Sequence, residues 1–185
     1  MTRSSGEVVT LRPAVTGDTA LLLEWRNDAD VVRFSMSGLT VTRDEHERWL
    51  KRVLRRGSSV HLWIVLRGGE PVGQVRIDVS GDTGVVSIAL GPQHRGRGIG
   101  TNTLRAAVAE AAGIPRLCTL RALIHVDNAA SARAFERAGF ERSGAVERGF
   151  AEYVLALRPA SRGSRYDRSL QAGTRPSWEA ATETR

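Results

Sequence analysis

Leu90-Gly91-Pro92-Gln93-His94-Arg95-Gly96-Arg97-Gly98-Ile99-Gly100 joins a β-branched apolar run to a run rich in helix formers. Residues 83–90 (TGVVSIAL) have strand composition. Residues 101–112 read as a helix that Gly113 and Pro115 stop. Glycines at 96, 98 and 100 let the backbone turn tightly and let a ligand approach closely. The helix that follows aims its unpaired N–H groups and positive dipole end back at the loop, which suits a phosphate or pyrophosphate. The spacing excludes two nucleotide motifs. A P-loop needs Gly-Lys-Ser/Thr, and Gly100-Thr101 carries no lysine. A dinucleotide fingerprint counted from Gly96 needs glycine at 101, where threonine stands, and it opens a first βαβ unit, whereas this loop lies past the middle of the chain.

Working outward, strands are expected at 8–12 (VVTLR), 61–66 (HLWIVL) and 71–79 (PVGQVRIDV), besides 83–90. Gly68-Gly69 and Gly81-Asp82 are turns that make the last three an antiparallel meander. Thr16 and Asp18 open a helix through ALLLEWRN, ending near Asn27 or Asp28. Thr42-Arg43-Asp44-Glu45 has capping-box spacing and starts a helix that ends at Gly57. Beyond the loop come a strand at 117–126 (LCTLRALIHV), a helix capped by Asp127 or Asn128 and ended by Gly139, and a hairpin at 140–142 and 147–156. The order β-α-α-β-β-β-α-β-α-β-β predicts an α/β (α+β) domain around a mixed sheet.

The 185 residues fit one domain, and 41% hydrophobic with 25% charged content is ordinary for a globular chain. No apolar run approaches the roughly 20 residues of a membrane helix. MTRSSGEVVT has no secretory h-region, so a cytoplasmic protein with no membrane partner is expected. A single cysteine, Cys118, excludes an internal disulfide and a cysteine metal cluster. The net charge is +7, carried by 26 arginines and Lys51. Residues 1–157 hold 21 basic and 17 acidic residues, and 158–185 hold six and three, so nearly half the excess lies in the last stretch. That stretch, RPASRGSRYDRSLQAGTRPSWEAATETR, reads as a mobile extension or partner-binding arm after a domain spanning 1–157. With only 5% aromatic residues, no nucleic-acid partner is expected.

Gln93-x-x-Gly96-x-Gly98, with Asn128-Ala129-Ala130-Ser131 and Phe135-Glu136-Arg137-Ala138-Gly139-Phe140 some thirty residues later, resembles the GCN5-related N-acetyltransferase (GNAT) family. The element order matches that family's over 8–156, about four fifths of the chain. The resemblance implies a mostly antiparallel seven-stranded sheet with flanking helices, splayed between the fourth and fifth strands. It implies acetyl-CoA as cosubstrate and no metal. The pantetheine arm is then expected on the backbone of Ile88, Ala89 and Leu90, and the pyrophosphate on Gln93, His94, Arg95, Gly96, Arg97, Gly98, Ile99, Gly100 and Thr101. Asn128, Ser131 and Phe135 complete that set, and Arg133 either assists the phosphates or is a solvated arginine.

The implied reaction moves an acetyl group to an amine by direct attack. Many members place a tyrosine acid where Phe135 stands, and Phe135 cannot donate a proton. Ser131 is the replacement candidate, or else a helix cap; Asn128 either holds an amide of the cofactor or caps the helix. The usual strand glutamate is absent, and Ser87 occupies the middle of that strand. A water on Ser87, Asp78, or His125 with its suitable intrinsic pKa is the candidate base. Trp25, Arg26, Arg33 and His46 resemble the acceptor side of the branch that acetylates nucleotide-linked amino sugars, with the arginines and histidine expected to bind diphosphate. The alternatives are an acetyltransferase of protein N-termini and a non-catalytic acyl-CoA-binding domain. The partner is a small amine, and the chain is expected as a monomer or homodimer.

Overall fold

The computed structural model describes residues 8–157. The arm at 158–185 lies outside the described residues. Seven strands form one sheet in the order β1-β2-β3-β4-β5-β7-β6. The strands are β1 (Val9–Pro13), β2 (Val60–Arg67), β3 (Glu70–Ser80), β4 (Thr83–Leu90), β5 (Thr119–His125), β6 (Glu141–Glu147) and β7 (Phe150–Ala156). Two-residue turns join β2 to β3 and β3 to β4, giving the expected antiparallel meander. The fourth and fifth strands run parallel, and they pair only at Thr83–Thr119, Gly84–Leu120 and Val85–Arg121. Beyond Val85 they diverge, so the expected splay is present.

Register decides which helix covers which face, because residues alternate across a strand. Val75, Ile77 and Val86 share a face with Leu120 and Ala122, and pack under α4 (Ile99–Ala111) and α5 (Ala129–Arg137). The opposite face carries Leu62, Ile64 and Ala89, and α1 (Thr19–Arg26) and α3 (Arg43–Val53) cover it through Leu22, Trp25, Trp49 and Leu50. Each such side chain, taken fully out of water, stabilises the fold by roughly 1.5–3 kcal/mol. On this second face Leu123 of β5 is left exposed.

Most element boundaries fall within a few residues of expectation, with one addition. The first helical region is a 3-10 turn, Thr16–Asp18, then α1, then a short helix α2 (Ala29–Arg33) that the sequence reading lacked. Asp28 caps α2, accepting from the N–H groups of Asp30 and Val31. The α3 capping box forms as expected: Glu45 N–H donates to Thr42 Oγ1 and Thr42 N–H to Glu45 Oε2. The first strand of the closing hairpin begins at Glu141, after Phe140, whose N–H closes the end of α5 on Phe135 O at 3.1 Å.

Candidate active site

Divergence of β4 from β5 opens a cleft of about 620 Å³, a size that suits a small ligand. One wall is β4 from Val85 to Leu90, and the other is β5 at Leu123–His125 with α5. The glycine loop closes one end. The far end is built from α2, the following loop through Val41, and α3.

At the loop, Gly96 and Gly98 have φ of +74° and +77°, and a Cβ built at either meets nothing within 4 Å. Only glycine holds such angles without strain, and the space above them is open. Gly98 caps α4 without any side-chain hydrogen bond. The first-turn N–H groups of α4 therefore present their dipole end to the cleft, as a pyrophosphate requires. The backbone of Ile88–Leu90 has lost β5 as a neighbour, which leaves strand edge for an extended arm. Both features fit CoA.

Individual loop residues differ from expectation. Arg95 lines the cleft, but its guanidinium donates to Asp28 at 2.5 Å and Asp30 at 2.7 Å, and its Nε to Leu90 O at 3.0 Å. It is a clasp between the loop and α2 rather than an open phosphate ligand. The Ile99 side chain is buried in the core, so only its backbone faces a ligand. Gly96, Gly98, Gly100, Thr101 and Arg133 line the cleft, whereas Gln93, His94 and Arg97 are not among its lining residues.

The catalytic candidates are brought together around the split. Ser87 is exposed on β4, opposite Arg76 of β3. Ser131, Asn128, His125 and Phe135 line the same cleft. Asn128 Oδ1 is used to cap α5, accepting from Ser131 N–H at 3.1 Å. Phe135 is buried edge-on to Phe140 and contributes only apolar surface. His125 Nδ1 accepts the Asp127 N–H at 3.2 Å. In the neutral ring that places the proton on Nε2, so His125 has no lone pair to offer an incoming amine. Asp78 is ion-paired to buried Arg76 at 2.7 Å and is not among the cleft-lining residues.

On the acceptor side two expected contacts fail. Trp25 is 2% exposed and belongs to the core under α1 and α3. Arg33 lies over the Phe34 ring, 5.0 Å from its centroid, outside the cleft lining. Arg26 and His46 do line the cleft. Arg26 donates to Leu39 O at 3.0 Å, and Asn27 clamps Val41 through two 2.8 Å bonds. The Trp25-Arg26-Asn27-Asp28 run is therefore the frame of the acceptor wall. Burial, then the charge of Arg26, pushes the His46 imidazole below its usual range, so it is neutral at pH 7 and not the expected cation.

Trp49, Gln74 and Arg76 also line this end, and the reading of the sequence passed over Gln74 and Arg76. A signal existed: Gln74, Arg76 and Asp78 put polar side chains at alternate positions of a strand that is central in the sheet. Among the described residues no three His, Cys, Asp or Glu side chains gather as a metal site. No described helix is long and apolar enough to cross a membrane.

A family model described as an acetyltransferase (GNAT) domain matches residues 9–141. Aminoglycoside N(6')-acetyltransferases type 1 of Klebsiella pneumoniae and Serratia marcescens are each 30% identical over 175 residues, covering 85% of this chain and 87% of theirs. Among solved structures, AAC(6')-Ib in complex with parmomycin and acetyl-CoA superposes with a TM-score of 0.70 at 25% identity, covering 80% of this chain and 93% of that one. Spermidine N-acetyltransferase from Vibrio cholerae, in complex with CoA and spermine, shares the fold at TM-score 0.70 and 16% identity, over 80% of this chain and 95% of that one.

Proposed function

The chain belongs to the GNAT acetyltransferase family, an N-acetyltransferase using acetyl-CoA, and from that premise we propose that its acceptor is the primary amine of a small amino sugar. The observation that carries the reading is the juxtaposition, in one cleft, of an open β4 edge, an uncapped helix start behind two positive-φ glycines, and a far end walled by polar side chains.

Bound acetyl-CoA supplies an activated acyl carbon and a thiolate leaving group. The chain's part is to hold the pyrophosphate on the N–H groups from Gly96 to Thr101 and to pair the arm with Ile88–Leu90. Backbone N–H groups of the splayed β4 stabilise the charge that develops on the thioester oxygen. The amine nitrogen bonds to the acyl carbon as the carbon–sulfur bond breaks. The amine's proton leaves through water held by Ser87, and the Ser131 hydroxyl donates to the departing sulfur as it regains a proton from solvent, so that the products are the acetylated amine and the CoA thiol.

Two acceptor classes share the amino sugar. The relatives named above support an aminoglycoside. A nucleotide-linked amino sugar is supported by Arg26 at the acceptor end, without the help once expected of Trp25 and Arg33. The test is a thiol-release assay of purified protein with acetyl-CoA and an amine panel: aminoglycosides, nucleotide-linked amino sugars, polyamines and peptides. Turnover is expected on an amino-sugar arm. Turnover confined to peptides or polyamines would overturn the reading.

A further inference from the structure

His46 Nε2, Trp49 Nε1 and Gln74 Oε1 are buried without a hydrogen bond, and all three side chains line the cleft. His46 and Trp49 are 5% and 7% exposed. Their rings lie 5.2 Å apart on α3. Gln74 stands on β3 opposite Ala89, on the sheet face that α3 covers and away from the face under α4 and α5. The corner is thus separate from the glycine loop and on the acceptor side of β4. Buried polar atoms are almost always paired, so a cluster of unpaired ones facing a cavity marks a place where a ligand supplies the partners.

The donor set restricts that ligand. The indole of Trp49 can only donate, and Gln74 Oε1 can only accept. An ammonium group donates but cannot accept, and so leaves Trp49 unpaired. A carboxylate or phosphate accepts but cannot donate, and so leaves Gln74 unpaired. A hydroxyl does both, as an amide does, and on an amino-sugar acceptor the hydroxyl is the group available. His46 matches this pattern, because its neutral ring carries one N–H and one lone pair. Of the charged groups nearby, Arg76 is paired with Asp78, Glu45 bonds Thr42, and Arg26 donates through Nη2 to Leu39 O.

We propose that His46, Trp49 and Gln74 form a subsite for the hydroxyl-bearing ring of the acceptor, holding it by alternating donor and acceptor contacts rather than by charge. This rests on the amino-sugar reading above and narrows it. The subsite selects for ring hydroxyls close to the reacting amine, whatever charge the rest of the molecule carries.

The test uses the full chain, acetyl-CoA and two amines: methyl 6-amino-6-deoxyglucoside, and 2-(aminomethyl)tetrahydropyran, which keeps the ring and the amine but lacks the hydroxyls. The wild-type protein is expected to favour the glucoside in kcat/KM by about 30-fold or more, as the loss of two or three hydrogen bonds implies. Trp49→Phe keeps an aromatic ring near Arg76 and removes the N–H together with part of the indole. Gln74→Leu removes the acceptor from another element. Each is expected to reduce the preference by about 3- to 10-fold, while acetyl-CoA affinity by calorimetry changes less than twofold. If the wild type favours the glucoside but both variants keep the full preference, or lower kcat/KM for both amines equally, the subsite is wrong and the amino-sugar reading stands. If neither ring is acetylated while amines without a sugar are, both fall together.

Discussion

Arg95 Nη2 lies 2.5 Å from Asp28 Oδ1 and so joins the glycine loop to the cap of α2. Asp28 has two tasks at once, accepting the first N–H groups of α2 and the guanidinium of the loop. Burial alone would raise its carboxyl. The Arg95 bond and the backbone N–H groups of Val31 and Asp30 outweigh that and hold it below the usual carboxylate range. The cofactor end and the acceptor wall of the cleft therefore share one ion pair. Arg95→Ala is expected to cost about 1–3 kcal/mol, since hydrogen bonds to a charged group are lost and a largely buried carboxylate is left alone. That corresponds to a drop in Tm of roughly 3–10 °C in a chain of this size. The KM values for acetyl-CoA and for the amine should rise together, and Asp28→Asn should reproduce both changes. An effect confined to acetyl-CoA would make Arg95 a phosphate ligand instead.

Stability should fall with acidity in two steps. His46 and His61 are both held below their usual range by burial, so the unfolded chain binds their protons more readily than the folded one. Their contribution is complete above about pH 6.5 and is lost as the pH falls below it. Asp18, held down by the Arg12 guanidinium, and Asp28 act the same way lower down. Their stabilisation is present above the ordinary carboxylate range and disappears as the pH falls through it. Urea midpoints measured from pH 8 to pH 3 should show the upper step shrink in His46→Gln and again in His46→Gln/His61→Gln, with the lower step retained. An unchanged upper step would mean that these rings are protonated without cost in the fold.

The element order and the antiparallel meander were within reach of the sequence because they rest on local signals, β-branched runs and two-residue turns, whereas the splay was expected only through the family resemblance. The glycine loop was legible from local signals as well, since its positive-φ turn and the helix start behind it need no particular neighbours. The acceptor end was not. Trp25, Arg26, Arg33 and His46 were expected as acceptor contacts, yet Trp25 is core and Arg33 lies outside the cleft, while Asn27 and Asp28 beside Arg26 clamp Val41 and cap α2. Arginine and tryptophan serve packing and binding equally well, and which of these they do depends on partners 14 to 67 residues away in sequence. Gln74 was passed over although polar residues alternate along its strand, because that its Oε1 is buried without a partner depends on packing across the sheet face.

Gly98→Val separates folding from cofactor binding. The residue has φ +77° with open space around its Cα. A branched side chain there costs about 1–2 kcal/mol of conformational strain but meets no protein atom. It does fill the volume in front of the α4 start. The variant should stay folded by circular dichroism with a modestly lower Tm, while acetyl-CoA binding by calorimetry falls below detection. Near-normal affinity would remove the pyrophosphate from this loop.

Ser131 provides the sharpest check on the chemistry. Its backbone N–H holds the α5 cap through Asn128, and that bond does not involve the hydroxyl. Ser131→Ala should therefore leave the helix start, the Tm and acetyl-CoA affinity nearly intact. Phe135 occupies the position where an acid was expected and carries only apolar surface into the cleft, so it cannot compensate. If the hydroxyl donates to the departing sulfur, kcat should drop by about 100-fold, within the range of a lost general acid. The effect should be greatest with acetyl-CoA and much smaller with an acetyl thioester of a more acidic thiol, which leaves without a proton. A uniform loss across donors would assign Ser131 to positioning the cofactor rather than to proton donation.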